Sequence, residues 1–504
     1  MTRRTFATAL CAPAWLPARE SPYDAGSRAQ LFVDDLLVRD TRGIAFTLHP
    51  ARKHSANPLV TADRGFEGWR LELYGNVIWD AQEKIFKMWY LAEGGGHFRF
   101  EYNTHYAIST DGIRWEKPLV GTVPSKNGEK TNAVIEAQHL ASVMKDMSDP
   151  DPARRYKLIG WTDEPRDKAG YHTMISPDGL NWKQFSTERI CPSSDVITGY
   201  YDEQRKLYVA MPKIGTAVRG QRRRVFYLIT SEDFVNWSKP ELVFAPDLRD
   251  DAGSLGRIAR ARRLLEVPDD LDLIRTEFYG LGFYPAESVT LGFPWVFTIN
   301  NNARLNPRNH EGPFELQLAA TRDLRNWSRA FRVPCLEPGG PGEWDEGLVV
   351  TQSRAIRVGD EIRLYYGGAN YTHGCGCLYK AEDTGRKTKF TGSIGLASWK
   401  LDRFVSADGH SADSALTTVP LVFSGERLEI NASTGNGGSL RVELLDPAGR
   451  LLAGPSDPFR GDEVRAAITW RKNPSVASWK GKPVSVRFLL QNARLFSFAF
   501  RQPV

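Results

Sequence analysis

Short runs of alternating apolar and polar residues cover most of the 504-residue chain, and they return in a fixed order. An apolar run, a tight polar turn and then an aromatic residue make up YAISTDGIRWEKP (Tyr106 to Pro118). The phrase returns as YHTMISPDGLNWKQF (Tyr171 to Phe185), FYLITSEDFVNWSKP (Phe226 to Pro240) and LQLAATRDLRNWSRA (Leu316 to Ala330). A degraded fifth copy is IGLASWKLDRFVS (Ile394 to Ser406). In each copy a hydroxyl residue stands six positions before the aromatic: Ser109 and Trp115, Ser176 and Trp182, Ser231 and Trp237, Thr321 and Trp327, Ser398 and Phe404. Asp111, Asp178, Asp233 and Asp323 follow that hydroxyl by two residues. Asp bonds the backbone ahead of it and Gly tolerates positive φ, so both suit a hairpin turn. These aspartates are expected to be structural and remote from any channel.

Each copy has an upstream partner: NVIWDAQEKIFKMWYLA (Asn76 to Ala92), ARRYKLIGWTD (Ala153 to Asp163), TGYYDEQRKLYVAMPK (Thr198 to Lys213), ESVTLGFPWVFTI (Glu287 to Ile299) and SRAIRVGDEIRLYYGG (Ser353 to Gly368). Unrelated hairpins would not share both parts. The unit is a four-stranded blade repeated five times, which predicts an all-β chain with a five-bladed β-propeller over residues 21–408. LFVDDLLVRD (Leu31 to Asp40) reads as a strand entering the fold and closing the ring. Blade four carries an insertion, roughly Ala245 to Thr276, with the Leu and Ile spacing of a short helix. From residue 411 to 504 the repeats stop, and short alternating strands with Asn/Gly turns predict a small β-sandwich.

Composition adds an ample core, with 41% hydrophobic residues and 14 Trp, and a mild net charge of +6. The excess sits in RGQRRR (Arg219 to Arg224) and RIARARR (Arg257 to Arg263). Solvated loops are the plain reading of these runs, and attraction to an acidic substrate the sharper one. No nucleic-acid motif and no membrane-length apolar run is present. Residues 1–20, opening Thr2-Arg3-Arg4-Thr5-Phe6, read as a twin-arginine export signal with cleavage near Ala18, so an exported protein is expected. Beyond it lie Cys191, Cys335, Cys375 and Cys377, too few for a disulfide scaffold and without zinc spacing. No cofactor or metal is expected.

In a propeller the residues opening each innermost strand converge on the axis. Those positions read as Glu72, His139, Asp195, Glu287 and the pair Asp345-Glu346. Converging carboxylates suit glycosidic cleavage, where one protonates the leaving oxygen and another attacks carbon or activates water. Around them stand Trp69 and Trp344 for stacking, Arg70, Arg304 and Gln317 for hydroxyls or acid groups, and His373. Asp195 opens DVITGYYD and is expected at the floor of a pocket.

The five-fold grammar, the entrance carboxylates and the terminal sandwich resemble the five-bladed β-propeller glycoside hydrolases of families 32 and 43. LFVDD, KIFKMWY, ISTDGIRWEKP, DPDPARRYK, IRLYYGG and RFVSAD are similar to exported family 32-like proteins of planctomycete-type bacteria. The family 32 Asn-Asp-Pro-Asn, Arg-Asp-Pro and Glu-Cys motifs are absent. The phrase SxDGxxW is one residue shorter than the sialidase SxDxGxxW. The resemblance implies an exported glycoside hydrolase acting on an oligo- or polysaccharide. The alternatives are a non-catalytic carbohydrate-binding propeller and a sialidase-like hydrolase.

Overall fold

The computed structural model describes residues 21–93, 102–136, 139–162, 166–193, 195–304, 306–374 and 390–503. Five antiparallel sheets stand in a ring, each opening on its innermost strand: Leu71–Asp80, His139–Lys145, Ile197–Asp202, Arg275–Pro285 and Leu348–Thr351. Each inner strand packs on the next, and the fifth returns to the first. This is the five-bladed propeller that the repeats predict. The outermost strand of blade five is Arg52–Lys53, whose partners are Ser398 and Ala397. The ring is therefore closed by a segment that precedes blade one.

That segment is not the expected LFVDDLLVRD. Gln30–Leu31 pairs with Phe498 and Ser497, and Val38–Arg42 pairs with Ala415–Thr418. Ile44–Leu48 pairs with Val405–Gly409, and Tyr23–Gly26 runs parallel to Leu421–Phe423. The N-terminal strands thus supply partners that the C-terminal β-sandwich lacks. Its two long strands, Arg427–Leu445 and Ser485–Arg501, bury Leu428, Leu440, Val442, Phe488, Leu490 and Phe498 against Phe32 and Leu416. Each such side chain contributes roughly 2 kcal/mol of burial. The insertion in blade four forms two short helices, Leu248–Ala252 and Ser254–Ala261, as its spacing predicts. No helix among the described residues is long and apolar enough to cross a membrane.

The recurring turn is a structural device. Asp111 accepts the backbone N–H groups of Ile113 and Arg114 at 2.7 and 2.8 Å and the Ser109 hydroxyl at 3.0 Å. Asp178, Asp233 and Asp323 repeat this. The residue after each Asp adopts positive φ: Gly112 at 76°, Gly179 at 79°, Phe234 at 66° and Leu324 at 66°. It is also the contact to the preceding blade. Tyr365 of blade five donates to the Gly112 carbonyl at 2.8 Å, and Trp89 of blade one donates to that of Gly179 at 2.8 Å. Phe234 packs on Phe185 of blade two, and Leu324 shares one buried cluster with Met211 and Phe226 of blade three.

At mid-depth the channel is shut. The Ser142 and Ser353 hydroxyls meet at 2.7 Å, and Ser142 also accepts the Gly199 N–H at 3.0 Å. Gln352 accepts the Val77 N–H at 3.1 Å, and the Phe283 N–H reaches the Ser353 carbonyl at 2.9 Å. Asn76 donates to the Val143 carbonyl. All five blades join this buried network, which ties the inner strands together across the axis.

Candidate functional site

The mouth at the starts of the inner strands gathers charged residues from blades three, four and five. Asp195 stands just before Ile197–Asp202 with φ at 71°, a left-handed conformation for a non-glycine residue. Its side chain is 35% exposed and ion-pairs with Lys213, which is 7% exposed. Burial pushes the Asp195 carboxyl up. The Lys213 charge and hydrogen bonds from Lys213 and Tyr279 outweigh that and hold it below the ordinary carboxylate range. Lys213 lies 3.8 Å from the Tyr279 ring centre. Burial, helped by Arg224, lowers its ammonium to about 8 against the pull of Asp195.

Arg224 crosses from blade three to Glu277 of blade four at 2.5 Å, and Arg275 reaches the same carboxylate at 2.7 Å. Burial raises Glu277, but the two guanidinium charges dominate and keep it ionised. His373 Nδ1 donates to the His310 carbonyl at 2.7 Å, which leaves Nε2 as an acceptor 3.3 Å from the Tyr279 hydroxyl. Burial, with Arg224 adding to it, drops His373 to about 3, so it is neutral at pH 7. Tyr279 has one hydroxyl proton to give, to Asp195 or to His373 Nε2, so these three groups share it beside two fixed cations.

The other sequence candidates fall elsewhere or are occupied. Glu287 does not open an inner strand. It follows Arg275–Pro285 at the opposite end, where Arg501 of the sandwich grips it at 2.8 and 2.9 Å and the Ala29 N–H donates at 2.8 Å. The inner strand of blade four, RTEFYGLGFYP, is buried along almost its whole length. It shows no alternation, and the position sought there belongs to Glu277. Gln317 is not available to a ligand: it is fully buried, donates to Glu315 at 2.5 Å and accepts from Arg329. Asp345 is 1% exposed, held by Lys53 at 2.7 Å and the Tyr366 hydroxyl at 2.8 Å. Glu346 is 8% exposed and paired with Arg263. Trp344 stacks on Tyr366, with ring centres 5.5 Å apart.

Glu72 is 14% exposed and lies 3.4 Å from Arg70, itself buried and bonded to Tyr371 at 3.1 Å. Trp69 is half-buried against Tyr371 and Phe390. Arg304 is exposed and pairs with Glu266 at 3.7 Å. His139 opens its strand as expected, but its side chain lies outside what is described, as do Ser194, Cys375, Cys377 and residues 1–20. Cys191 and Cys335 are buried free thiols. Among the described residues no group of His, Cys, Asp and Glu could hold a metal ion.

Sequence reading missed Lys213, Arg224, Glu277, Tyr279 and His310. Two signals were present: the alternating Arg275, Glu277 and Tyr279 after the helical insertion, and the cations at Lys213 and Arg224 flanking one hairpin. At the opposite end a cavity of about 400 Å³ is lined by Trp79, Tyr200, Tyr284, Arg354, Glu287 and Asp402 among others. Its charges serve structural contacts: Arg354 clamps Glu203 at 2.9 Å through both nitrogens, and Glu287 holds the sandwich.

No family model matches the chain, and no curated protein matches it by sequence. Among solved structures it is similar to a β-1,2-mannobiose phosphorylase from Listeria innocua, at 13% identity and a TM-score of 0.44, over 70% of this chain and 98% of that one. It is also similar to an exo-inulinase from Aspergillus awamori, at 10% identity and a TM-score of 0.40, over 89% and 98%. A fructofuranosidase from Schwanniomyces occidentalis gives 8% and 0.38 over 88% and 96%. Likenesses this distant carry nothing about chemistry, and the propeller rests on the strand pairings themselves.

Proposed function

We propose that this chain is an exported carbohydrate-active enzyme of the glycoside hydrolase type, working at the mouth of the propeller channel. The observation that supports it is Asp195. A non-glycine residue in the left-handed region stores about 1 kcal/mol or more of strain, and such strain concentrates at functional sites. Here it aims a partly exposed carboxylate into the mouth, fixed by Lys213 and the Tyr279 hydroxyl. Held ionised, Asp195 suits the role of nucleophile, base or charge stabiliser, and not that of the acid, which needs a raised pKa. Glu311, beside His373 at the mouth, is raised by burial. It is 2% exposed and accepts the Glu266 and Val267 N–H groups at 2.7 and 3.2 Å, so it is not assigned as the acid.

The test is a screen of the purified protein against polysaccharides for new reducing ends, repeated with Asp195→Asn. The variant keeps the shape and removes the charge. Turnover is expected to fall by about two orders of magnitude or more at an unchanged melting temperature. Turnover within about threefold of the parent would remove Asp195 from the chemistry.

A second reading, a saccharide-binding propeller without catalysis, is favoured by one observation. Each of the five carboxylates read from the sequence has a cation partner: Arg70, Lys213, Arg501, Lys53 and Arg263. It predicts saccharide retention with no new reducing ends from any member of the panel.

A further inference from the structure

The two basic runs separate once each guanidinium is traced. Arg257 is buried and donates to Thr298 and Thr276 at 2.6 Å. Arg260, Arg262 and Arg263 pair with Glu315, Asp269 and Glu346. Arg219 and Arg223 both pair with Asp251. Arg224 pairs with Glu277, which leaves Arg222, and the two lie on one strand two residues apart, so they share a face. Their cross-strand partners are Ala217 and Gly215, and Lys213 lies on that same face two residues before Gly215. Gly215 has a consequence here: a Cβ on it would sit 2.7 Å from the Arg222 Nε, so the missing side chain is where the Arg222 guanidinium lies. Lys213, Arg224 and Arg222 therefore form a column up the hairpin of blade three, and Tyr279 lies under the first two, 3.8 and 5.1 Å from their charges.

Charge within this column does not balance. Asp195 answers Lys213, and Glu277 is divided between Arg224 and Arg275. Arg222 is exposed and has no acidic partner among the described residues. The surroundings register the excess. His310 is lowered to about 4 by burial and then by Arg224 and Arg275. Arg275 donates to His310 Nε2 at 3.1 Å, which leaves the imidazole proton on Nδ1, a buried donor with no acceptor among the described residues.

We propose that the Lys213–Arg224–Arg222 column is an anion subsite that selects a saccharide carrying a carboxylate or a sulfate ester. This rests on the reading that the mouth takes a carbohydrate. A monoanion on the sugar offsets part of this excess, and Arg222 and Arg224 offer paired N–H groups to two of its oxygens.

The test uses calorimetry on the whole protein with three probes: trigalacturonate, its fully methyl-esterified form and a sulfated neutral trisaccharide. At least one charged trimer is expected to bind about tenfold or more tighter than the ester, the scale of one charge-assisted hydrogen bond, and to weaken as salt is raised. The trimer that shows the preference tells carboxylate from sulfate. Arg222→Gln, at an exposed position, is expected to erase most of that preference while leaving the ester's affinity and the melting temperature unchanged. Equal binding of charged and neutral trimers, or a preference that survives Arg222→Gln, overturns the subsite. Bare sulfate and acetate separate the two readings. If they raise the melting temperature through Arg222 while no saccharide binds, the anion site stands and the carbohydrate reading falls. If neutral saccharides bind and turn over with no advantage to charged ones, the carbohydrate reading stands and the subsite falls. If nothing binds, both fall.

Discussion

Asp195 and Lys213 show how one contact sets two protonation states. The lysine charge, with the Tyr279 hydroxyl and the more distant Arg224, keeps the carboxyl ionised below its ordinary range. Replacing Lys213 by Met removes the largest of these, and burial then pushes the Asp195 pKa up. The acid limb of the kcat/KM profile is expected to move to higher pH by about a unit or more in Lys213→Met. A limb that stays in place would mean that Asp195 is not the titrating group. The place of Asp195 at the head of an inner strand was legible because a polar Ser193-Ser194-Asp195 run directly precedes the apolar start of Ile197–Asp202. Glu277 was not, because the alternation of Arg275, Glu277 and Tyr279 is short and the rest of RTEFYGLGFYP is an apolar run covered on both faces. Glu287 stands before the second strand of blade four, Thr290–Ile299, and not before its first, which puts it at the opposite end. Lys213 and Arg224 are far apart in sequence from the acids they serve, and pairing of that kind leaves no local mark.

At the scale of the element, the turn SxDGxxW was fully legible, since Asp, Gly and the spacing to Trp each carry a local reason. Its second role was not, because the partner of each turn sits on the blade before it. Gly112 contacts Tyr365 and Gly179 contacts Trp89, so a single turn both ends a hairpin and fastens two blades. Where the copies change to Phe234 and Leu324, an apolar side chain buried against the preceding blade accompanies the strained φ. Asp111→Ala removes the acceptor of two backbone N–H groups at a largely exposed turn. Unfolding by denaturant is expected to show a loss of about 1 kcal/mol, with any turnover by the folded protein unchanged. Normal stability with lost turnover would move this Asp into the chemistry.

At the scale of the molecule, the propeller and the sandwich were legible from the repeats and from where they stop. How the ends are joined was not, because strand partners at opposite ends of a chain leave no periodic signal. Closure depends on Asn57 as well as on Arg52–Lys53. Its amide accepts the Leu396 N–H at 2.9 Å and donates to the Leu396 carbonyl at 2.9 Å, standing in for one more strand. Asn57→Ala orphans the Leu396 N–H, while the Leu396 carbonyl keeps the His54 N–H at 2.9 Å, so a stability loss of about 2 kcal/mol is expected in chemical denaturation. A loss below about 0.5 kcal/mol would show that closure does not depend on this amide. The same closure sets the order of events during synthesis. Asn57 leaves the ribosome 339 residues before Leu396, and Arg39 leaves 446 before Ser485. At roughly 5–20 residues per second, the early strands wait tens of seconds for their partners, and contacts this distant in sequence form slowly. Until then the ring is an open arc with bare strand edges at both ends, each able to pair with another nascent chain. The interval in which these edges lie bare is therefore synthesis itself, before the last strands have emerged to cover the first.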